Sequence, residues 1–315
     1  MSRGGLPPLD CFSSPAPIHS GACVLMRKLL LQLDSSRLPS VFDRVVAYDG
    51  GADEVMSYGG VAEADVRDLI HGCIFTRGPK DLMNTAVFVG GADIAVGEQL
   101  LGAATKAMFK PFTVSAMLDS NGSNTTAVAA VAKMVKVAGD VRGKRVLIVA
   151  GTGPVGIRAA GLFAKAGADV SITSRKADAG ERARDLVLKR FGGKVRAIAM
   201  PDASQAVRAC ERAELLLNAG PAGVMLVPRQ AWANRPGLKV VADVNAVPPL
   251  GIEGVDVMDD GVTKQGVVCF GALAIGNLKM KVHKACIARL FERNDLVLDA
   301  ETIADVAREL MAPKQ

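Results

Sequence analysis

Gly151-Thr152-Gly153-Pro154-Val155-Gly156 sets three glycines at the spacing G-x-G-x-x-G. A backbone that approaches a pyrophosphate needs this arrangement: Gly151 permits a tight turn, Gly153 brings the main chain close to the ligand, and Gly156 lets a helix pack on the preceding strand. The N–H groups and positive dipole end of the helix that follows then face the phosphates. The alternative is a tight turn in an ordinary α/β domain. The flanking stretches favour the dinucleotide, because the apolar run Val146–Ala150 precedes the glycines, an Ala-rich helical stretch closes at Gly167, and a second strand follows at Asp169–Thr173.

The residues that end this second strand select among dinucleotides. An NAD site usually places Asp or Glu about 20 residues beyond the glycines, to accept from the ribose 2′-OH. Here the chain reads Ser174-Arg175-Lys176. A hydroxyl, a guanidinium and an ammonium suit a 2′-phosphate that a carboxylate would repel, so NADP is the expected cofactor, with NAD use left open. The bland alternative is a solvated cap on the next helix. Asn218-Ala219-Gly220 and Asn245 fall at the ends of two further strand-like runs, and in an open parallel sheet that edge lines the cofactor crevice.

A second group of candidates lies outside the fingerprint. Asp119-Ser-Asn-Gly-Ser-Asn-Thr-Thr126 is polar yet flanked by an apolar strand and an apolar helix. It reads either as a capped helix start, with Ser123 or Asn124 as N-cap, or as the polar rim of a ligand cleft. Lys279 follows what reads as a glycine-rich turn, Gly271–Gly276, and is a candidate for the same cleft; its alternative is a surface lysine at a helix start, where a cation is disfavoured by the dipole. Lys281, two residues on, should point elsewhere. No Ser-His-Asp set and no metal-ligand spacing stands out, and His71 and His283 read as packing or surface residues of helices.

These candidates need elements to hold them. Met26 onward reads as alternating strands and helices: strands near Lys28–Leu33, Thr85–Val89 and Thr113–Leu118, with helices near Pro39–Tyr48, Ala62–Ile70 and up to Met108. After the fingerprint come a helix at Asp178–Phe191, a strand at Val195–Ala199, a helix at Ser204–Arg212, strands at Glu214–Asn218 and Lys239–Asn245, and two closing helices. The chain of 315 residues is half hydrophobic with 4% aromatic residues, as suits a two-domain α/β protein. Its net charge of +6 is scattered among acids, so no nucleic-acid partner is expected, and no apolar run is long enough to span a membrane. Six widely spaced cysteines read as buried thiols of a cytoplasmic protein. Residues 1–25, with four prolines and no periodicity, read as a disordered tail.

From Met26 to about Met311 the chain resembles the NAD(P)-dependent methylene-tetrahydromethanopterin dehydrogenases of one-carbon metabolism, some of which also accept methylene-tetrahydrofolate. The stretches that carry the resemblance are PSVFDRVVAYDGGAD, IFTRG, AVFVGG, MLDSNGSNTTA, AGTGPVGIRAA, SRK, ADVNAVPPLGI and FGALAIGNLKMKVHKACIARLFE. The resemblance implies a pterin-binding α/β domain at residues 26–125, a Rossmann-type doubly wound NADP domain at 126–275, and helices at 276–315 that return to the first domain. It also implies a homo-oligomer, trimeric or hexameric, with pterin contacts from Phe42, Asp43, Tyr48, Asp49, Asn121, Asn124 and Thr125, and with Lys279 beside the pterin. Two other readings remain open. A reductase of the shikimate dehydrogenase type would need a Lys–Asp pair, for which Lys80–Asp81 is the candidate, and a regulator would bind NADPH without turning over a pterin.

Overall fold

A computed structural model describes residues 26–312; the tail expected at 1–25 lies outside the described residues. The first half alternates strand and helix: β1 (Leu29–Asp34), α1 (Val41–Asp49), β2 (Glu54–Gly59), α2 (Glu63–Ile74), β3 (Thr85–Gly90), α3 (Ile94–Ala107), β4 (Ser115–Leu118) and α4 (Ser123–Ala138). The alternation continues through β5 (Arg145–Val149), α5 (Pro154–Lys165), β6 (Asp169–Ser174), α6 (Ala177–Phe191), β7 (Val195–Ala199), α7 (Ala206–Ala209), β8 (Leu215–Asn218) and β9 (Val240–Asp243). A hairpin, β10 (Asp260–Lys264) and β11 (Val267–Phe270), precedes α8 (Ala272–Arg289), β12 (Val297–Leu298) and α9 (Ala300–Met311).

The strands form two sheets. One runs β12-β4-β3-β1-β2, all parallel; the other runs β10-β11-β9-β8-β5-β6-β7, parallel except for its β10–β11 edge. Parallel strands are covered on both faces, and side-chain alternation divides their residues between two cores. In β1 and β3, Leu30 and Phe88 join a core shared with the second sheet, whereas Leu31, Leu33, Val87 and Val89 pack beneath α2 and α3. The shared core includes Val128 and Met134 of α4, Ile157 and Phe163 of α5, Val282 and Ile287 of α8, and Ile303 of α9. The two closing helices therefore return to the first half, and β12 extends its sheet beside β4.

Local sequence explains the elements that were foreseen. Ser40 caps α1 by accepting from Asp43 N at 3.1 Å, a contact that contributes about 1 kcal/mol. Four expectations need correction. β2 was not foreseen, because it is an edge strand whose only buried residue is Val55 and so lacks clean alternation. The β10–β11 hairpin was missed for a related reason, since β10 exposes nearly all of DGVTK. The helix expected at Ser204–Arg212 shrinks to α7 and one 3₁₀ turn. The glycine-bounded stretch before Lys279 is not a turn: α8 begins at Ala272, with Gly271 as N-cap, because the Ala-Leu-Ala-Ile run carries Gly276 within the helix.

α5 and α6 approach closely at Gly161, where an added Cβ would lie 2.3 Å from the Phe191 ring. Gly161→Ala should therefore lower stability by about 1–3 kcal/mol despite the helix propensity gained. Gly102→Ala, on an exposed face of α3 with nothing within 4 Å of its Cβ, should instead raise it by about 0.5–1 kcal/mol. Urea unfolding midpoints at unchanged slope measure both; a stabilised Gly161→Ala would refute the close packing.

Candidate functional site

The second sheet reverses its strand order between β5 and β8, and the glycine loop leaves β5 at that switch point. An added Cβ at Gly151 would lie 2.8 Å from Ile172 Cβ, and one at Gly156 would lie 2.6 Å from Gly151 Cα. Neither position admits a side chain. At Gly153 a Cβ would meet nothing within 4 Å, so there the backbone is open, and Thr152, Pro154 and Val155 stay partly exposed beside it. Thr173 pins the loop, its Oγ1 accepting from Ala150 N at 2.9 Å and its carbonyl from Gly151 N at 3.0 Å. The cradle fits a pyrophosphate at the start of α5.

Arg175 and Lys176 stand exposed at the carboxyl end of β6, and neither has an ion-pair partner among the described residues. Ser174 differs from expectation: it is buried, and its hydroxyl donates to the Lys176 carbonyl at 2.8 Å, so it shapes the turn. The side chains of Asn218 and Asn245 also turn inward. Asn218 Nδ2 donates to Asp243 Oδ1 at 2.8 Å, and Asn245 Oδ1 accepts from Val247 N at 2.9 Å. Asp243 further accepts from Asn245 N at 3.0 Å and Ile252 N at 2.8 Å; burial raises its pKa, and these donors oppose the rise. Asn218, Asp243 and Asn245 thus brace the crevice floor, leaving the partly exposed Ala219 and Gly220 as its surface.

A cavity of about 370 Å³ opens at the carboxyl edge of the first sheet, lined by Asp34, Phe42, Asp43, Asn121, Gly122 and Lys279 among others. Asp34 closes β1 and is held by Ser36 N at 2.8 Å and Ser40 N at 3.0 Å. Asn121 and Gly122 both adopt left-handed φ, 55° and 58°, which aims the turn between β4 and α4 at the cavity. Lys279 reaches in from α8 with only 9% of its surface exposed, its Nζ 4.1 Å from the Phe42 ring centroid. Burial lowers the Lys279 pKa while Asp119 and Asp43 hold it up; burial raises that of Asp43, opposed by Ser40 and Lys279.

Behind the cavity wall, Asp119 is fully buried. Its Oδ2 accepts from Thr125 Oγ1 at 2.6 Å and its Oδ1 from Thr125 N at 3.0 Å. Burial pushes its carboxyl up to about 7, against these two donors and the Lys279 charge. His283, one turn beyond Lys279, approaches Asp119 Oδ2 at 3.8 Å and stacks on Phe88 with ring centroids 5.5 Å apart. The pair is not ionic, because burial pushes the imidazole down to about 3; neither ring nitrogen has a hydrogen-bond partner among the described residues.

Of the residues expected to meet a substrate, Phe42, Asp43, Asn121 and Lys279 converge. Tyr48 and Asp49 do not: they lie at the far end of α1, about 9 Å along its axis, where Asp49 pairs with Lys284 at 2.7 Å. Asn124 and Thr125 sit behind the wall, fully buried, with Asn124 Nδ2 donating to the Leu118 carbonyl at 2.6 Å. Neither Ser123 nor Asn124 caps α4; Gly122 does, while Ser123 Oγ donates to the Ser120 carbonyl at 2.8 Å. Lys279 sits mid-helix, not at a helix start, and Lys281 is exposed on another face. Lys80 and Asp81 are exposed before β3, at the opposite edge of the sheet from the cavity. Asp34 and Asp243 lie outside the expected site residues, and Asp119 is expected only as one end of the polar stretch Asp119–Thr126. Their shared signal is an acid that closes or directly follows an apolar run in a parallel strand.

Together these features define a two-sheet α/β protein whose second sheet is a Rossmann-type nucleotide-binding sheet. Shikimate 5-dehydrogenase from Listeria monocytogenes, solved with shikimate and NAD, superposes with a TM-score of 0.56 at 14% identity over 91% of this chain and 96% of its own. Ornithine carbamoyltransferase from Pyrococcus furiosus gives 0.53 at 14% identity over 84% of each chain. At such identities the likeness is one of fold alone. Residues 41–121 match the family described as methylene-tetrahydromethanopterin dehydrogenase, N-terminal. Two proteins of Methylorubrum extorquens resemble the chain along 91% of its length: the bifunctional protein MdtA, 49% identical over all of that protein, and the NAD(P)-dependent methylenetetrahydromethanopterin dehydrogenase, 33% identical over 99% of it. The chain belongs to the methylene-tetrahydromethanopterin dehydrogenase family.

A carboxyl held at about 7 instead of 3.8 favours the folded state only while protonated, so its contribution to stability is lost as pH rises from about 4 through 7. Asp119→Asn removes that loss. Relative to the parent protein, the variant should gain about 2–3 kcal/mol between pH 5 and pH 8, at about 1.4 kcal/mol per pH step, measured by urea unfolding at both. An equal pH response in the two proteins would show Asp119 to be ionised throughout.

Proposed function

We propose that the chain oxidises methylene-tetrahydromethanopterin with NADP, breaking a C–H bond of the methylene bridge and passing the electron pair, as hydride, to nicotinamide C4. The products are the methenyl cation and NADPH. The observation that carries this reading is the convergence, at the carboxyl edge of the family-matched first half, of one buried ammonium and two carboxylates, Asp34 and Asp43, around a cavity. Both bridging nitrogens stabilise the methenyl cation, so the substrate supplies its own electron push and no strong base is needed. The bound dinucleotide supplies the hydride acceptor.

The chain's own residues then have positioning and electrostatic tasks. Gly151, Gly153 and Gly156 with Thr152, Pro154 and Val155 hold the pyrophosphate, and Arg175 with Lys176 meets the 2′-phosphate. Phe42 offers an apolar ring face, Lys279 donates to the pterin, and Asp34 and Asp43 offset the positive charge that develops on the bridge. The same cleft is proposed to accept methylene-tetrahydrofolate, whose N5–C–N10 bridge is alike, on the resemblance alone. A cytoplasmic homo-oligomer is the assembly proposed, on the resemblance alone.

Arg175→Ala should weaken NADP by about one to two decades, or roughly 1.5–3 kcal/mol, and leave NAD little changed, as titration with each cofactor would show. Equal losses for both would sink the 2′-phosphate assignment. Lys279→Ala should cut turnover of methylene-tetrahydromethanopterin at least about tenfold, ~1.4 kcal/mol of barrier, without weakening NADP. Lys281→Ala is the control and should change little. Steady-state kinetics of the two variants decide the matter, and matching behaviour would remove Lys279 from the chemistry.

A further inference from the structure

Arg158 lies in the second turn of α5, one turn beyond the glycine loop, yet only 4% of its surface is exposed and its guanidinium is met by polar partners. Its Nε donates to Asn124 Oδ1 at 2.7 Å, its Nη2 to Glu98 Oε1 at 2.8 Å, and its Nη1 to the Pro154 carbonyl at 3.4 Å. Three elements meet on one guanidinium: α3 of the first half through Glu98, the start of α4 through Asn124, and the phosphate-facing end of α5 through Pro154. Glu98 is shared with Arg190 of α6, whose Nε lies 3.7 Å away, while Arg190 also pairs with Asp299 at 2.7 Å and Glu301 at 2.9 Å.

Burying a guanidinium this deeply costs several kcal/mol unless its donors are met, and an apolar residue could fill the same volume at no such cost. A purely structural explanation is therefore weak. The Arg158 fork is planar and rigid, so its two strong contacts constrain orientation as well as distance. Asn124 transmits that constraint. Its other amide end holds the Leu118 carbonyl at 2.6 Å, and the neighbouring Thr125 makes both hydrogen bonds to Asp119. Asp119 in turn acts electrostatically on both Arg158 and Lys279. A chain of hydrogen bonds and adjacent residues thus runs from the carbonyl of the first α5 residue to Asp119, whose charge acts through space on the ammonium in the cavity.

We propose that Arg158 is a positioning residue that fixes the glycine loop against the Asp119–Thr125 turn, so that loading the cofactor loop orders the acid and lysine cluster of the substrate cavity. This inference rests on the proposed reaction for its kinetic consequence, but the coupling itself is independent of it. Lysine at this position keeps the charge and loses the fork.

Two measurements test it on the full chain. In hydrogen–deuterium exchange, adding NADP should protect both residues 150–156 and residues 119–125 of the parent protein, but only residues 150–156 of Arg158→Lys. In kinetics, Arg158→Lys should lower kcat for methylene-tetrahydromethanopterin about tenfold or more, with the NADPH Kd, read by its fluorescence, changed less than threefold. Glu98→Gln, at a half-buried position, should show the same pattern more mildly and guards against a variant that fails to fold. Protection of the 119–125 turn that persists in Arg158→Lys, or never occurs in the parent protein, would overturn the proposal. So would a kcat loss matched by an equal loss of NADPH affinity. A parent protein inactive with the pterin but showing the exchange pattern would remove the proposed reaction and leave the coupling standing.

Discussion

A carboxyl group without access to water, that of Asp119, is the constraint on which the substrate half depends. It can be tolerated there only because both oxygens are met by Thr125, and that requirement dictates where α4 begins. Once the first turn of α4 is fixed, Asn121 and Gly122 must take left-handed φ to connect it to β4, and the turn closes the cavity. α4 then carries the arrangement into the shared core, where Val128 and Met134 pack among residues from both sheets. One buried hydrogen-bonded pair thereby relates the carboxyl edge of one sheet to the helices that cover the other.

The charge pattern of the cavity suits chemistry in which the substrate turns cationic. A lone ammonium facing a developing cation would oppose the reaction, and lone carboxylates would be costly to bury before it. Lys279 with Asp34 and Asp43 balances both states: the lysine offsets the acids in the resting site, and the acids are in place when positive charge forms. Such prearranged charges cost no reorganisation at the moment of transfer. Phe42 completes the set by keeping water from one side of the ammonium.

The cofactor half is legible in the sequence because each of its devices is local. Three glycines in six residues, an apolar run before them and a basic pair after the next strand specify their own conformations, and the structure has them at the expected strand ends. The substrate half is legible only in part. Phe42, Asp43, Asn121 and Lys279 line one cavity, but Tyr48 and Asp49 share a helix with two of them and are carried away by its length. Asn124 and Thr125 look like rim residues because they are polar; their burial depends on Arg158 and Asp119, which no local pattern announces. Ser174, Asn218 and Asn245 mislead in the same way, since a polar side chain at a strand end can turn to the ligand or into the floor beneath it.

β12 is two residues long, yet it has a consequence for how the chain is made. Val297 and Leu298 pair with Ala116 and Met117, so the first sheet takes its outer strand from a segment synthesised almost two hundred residues later. The nucleotide-binding half lies between these partners in the chain, and can assemble while the first half still exposes the edge of β4. The last strand of the second sheet thus leaves the ribosome before the last strand of the first, and the segment around Val297 seals the earlier half only after every other strand has been made.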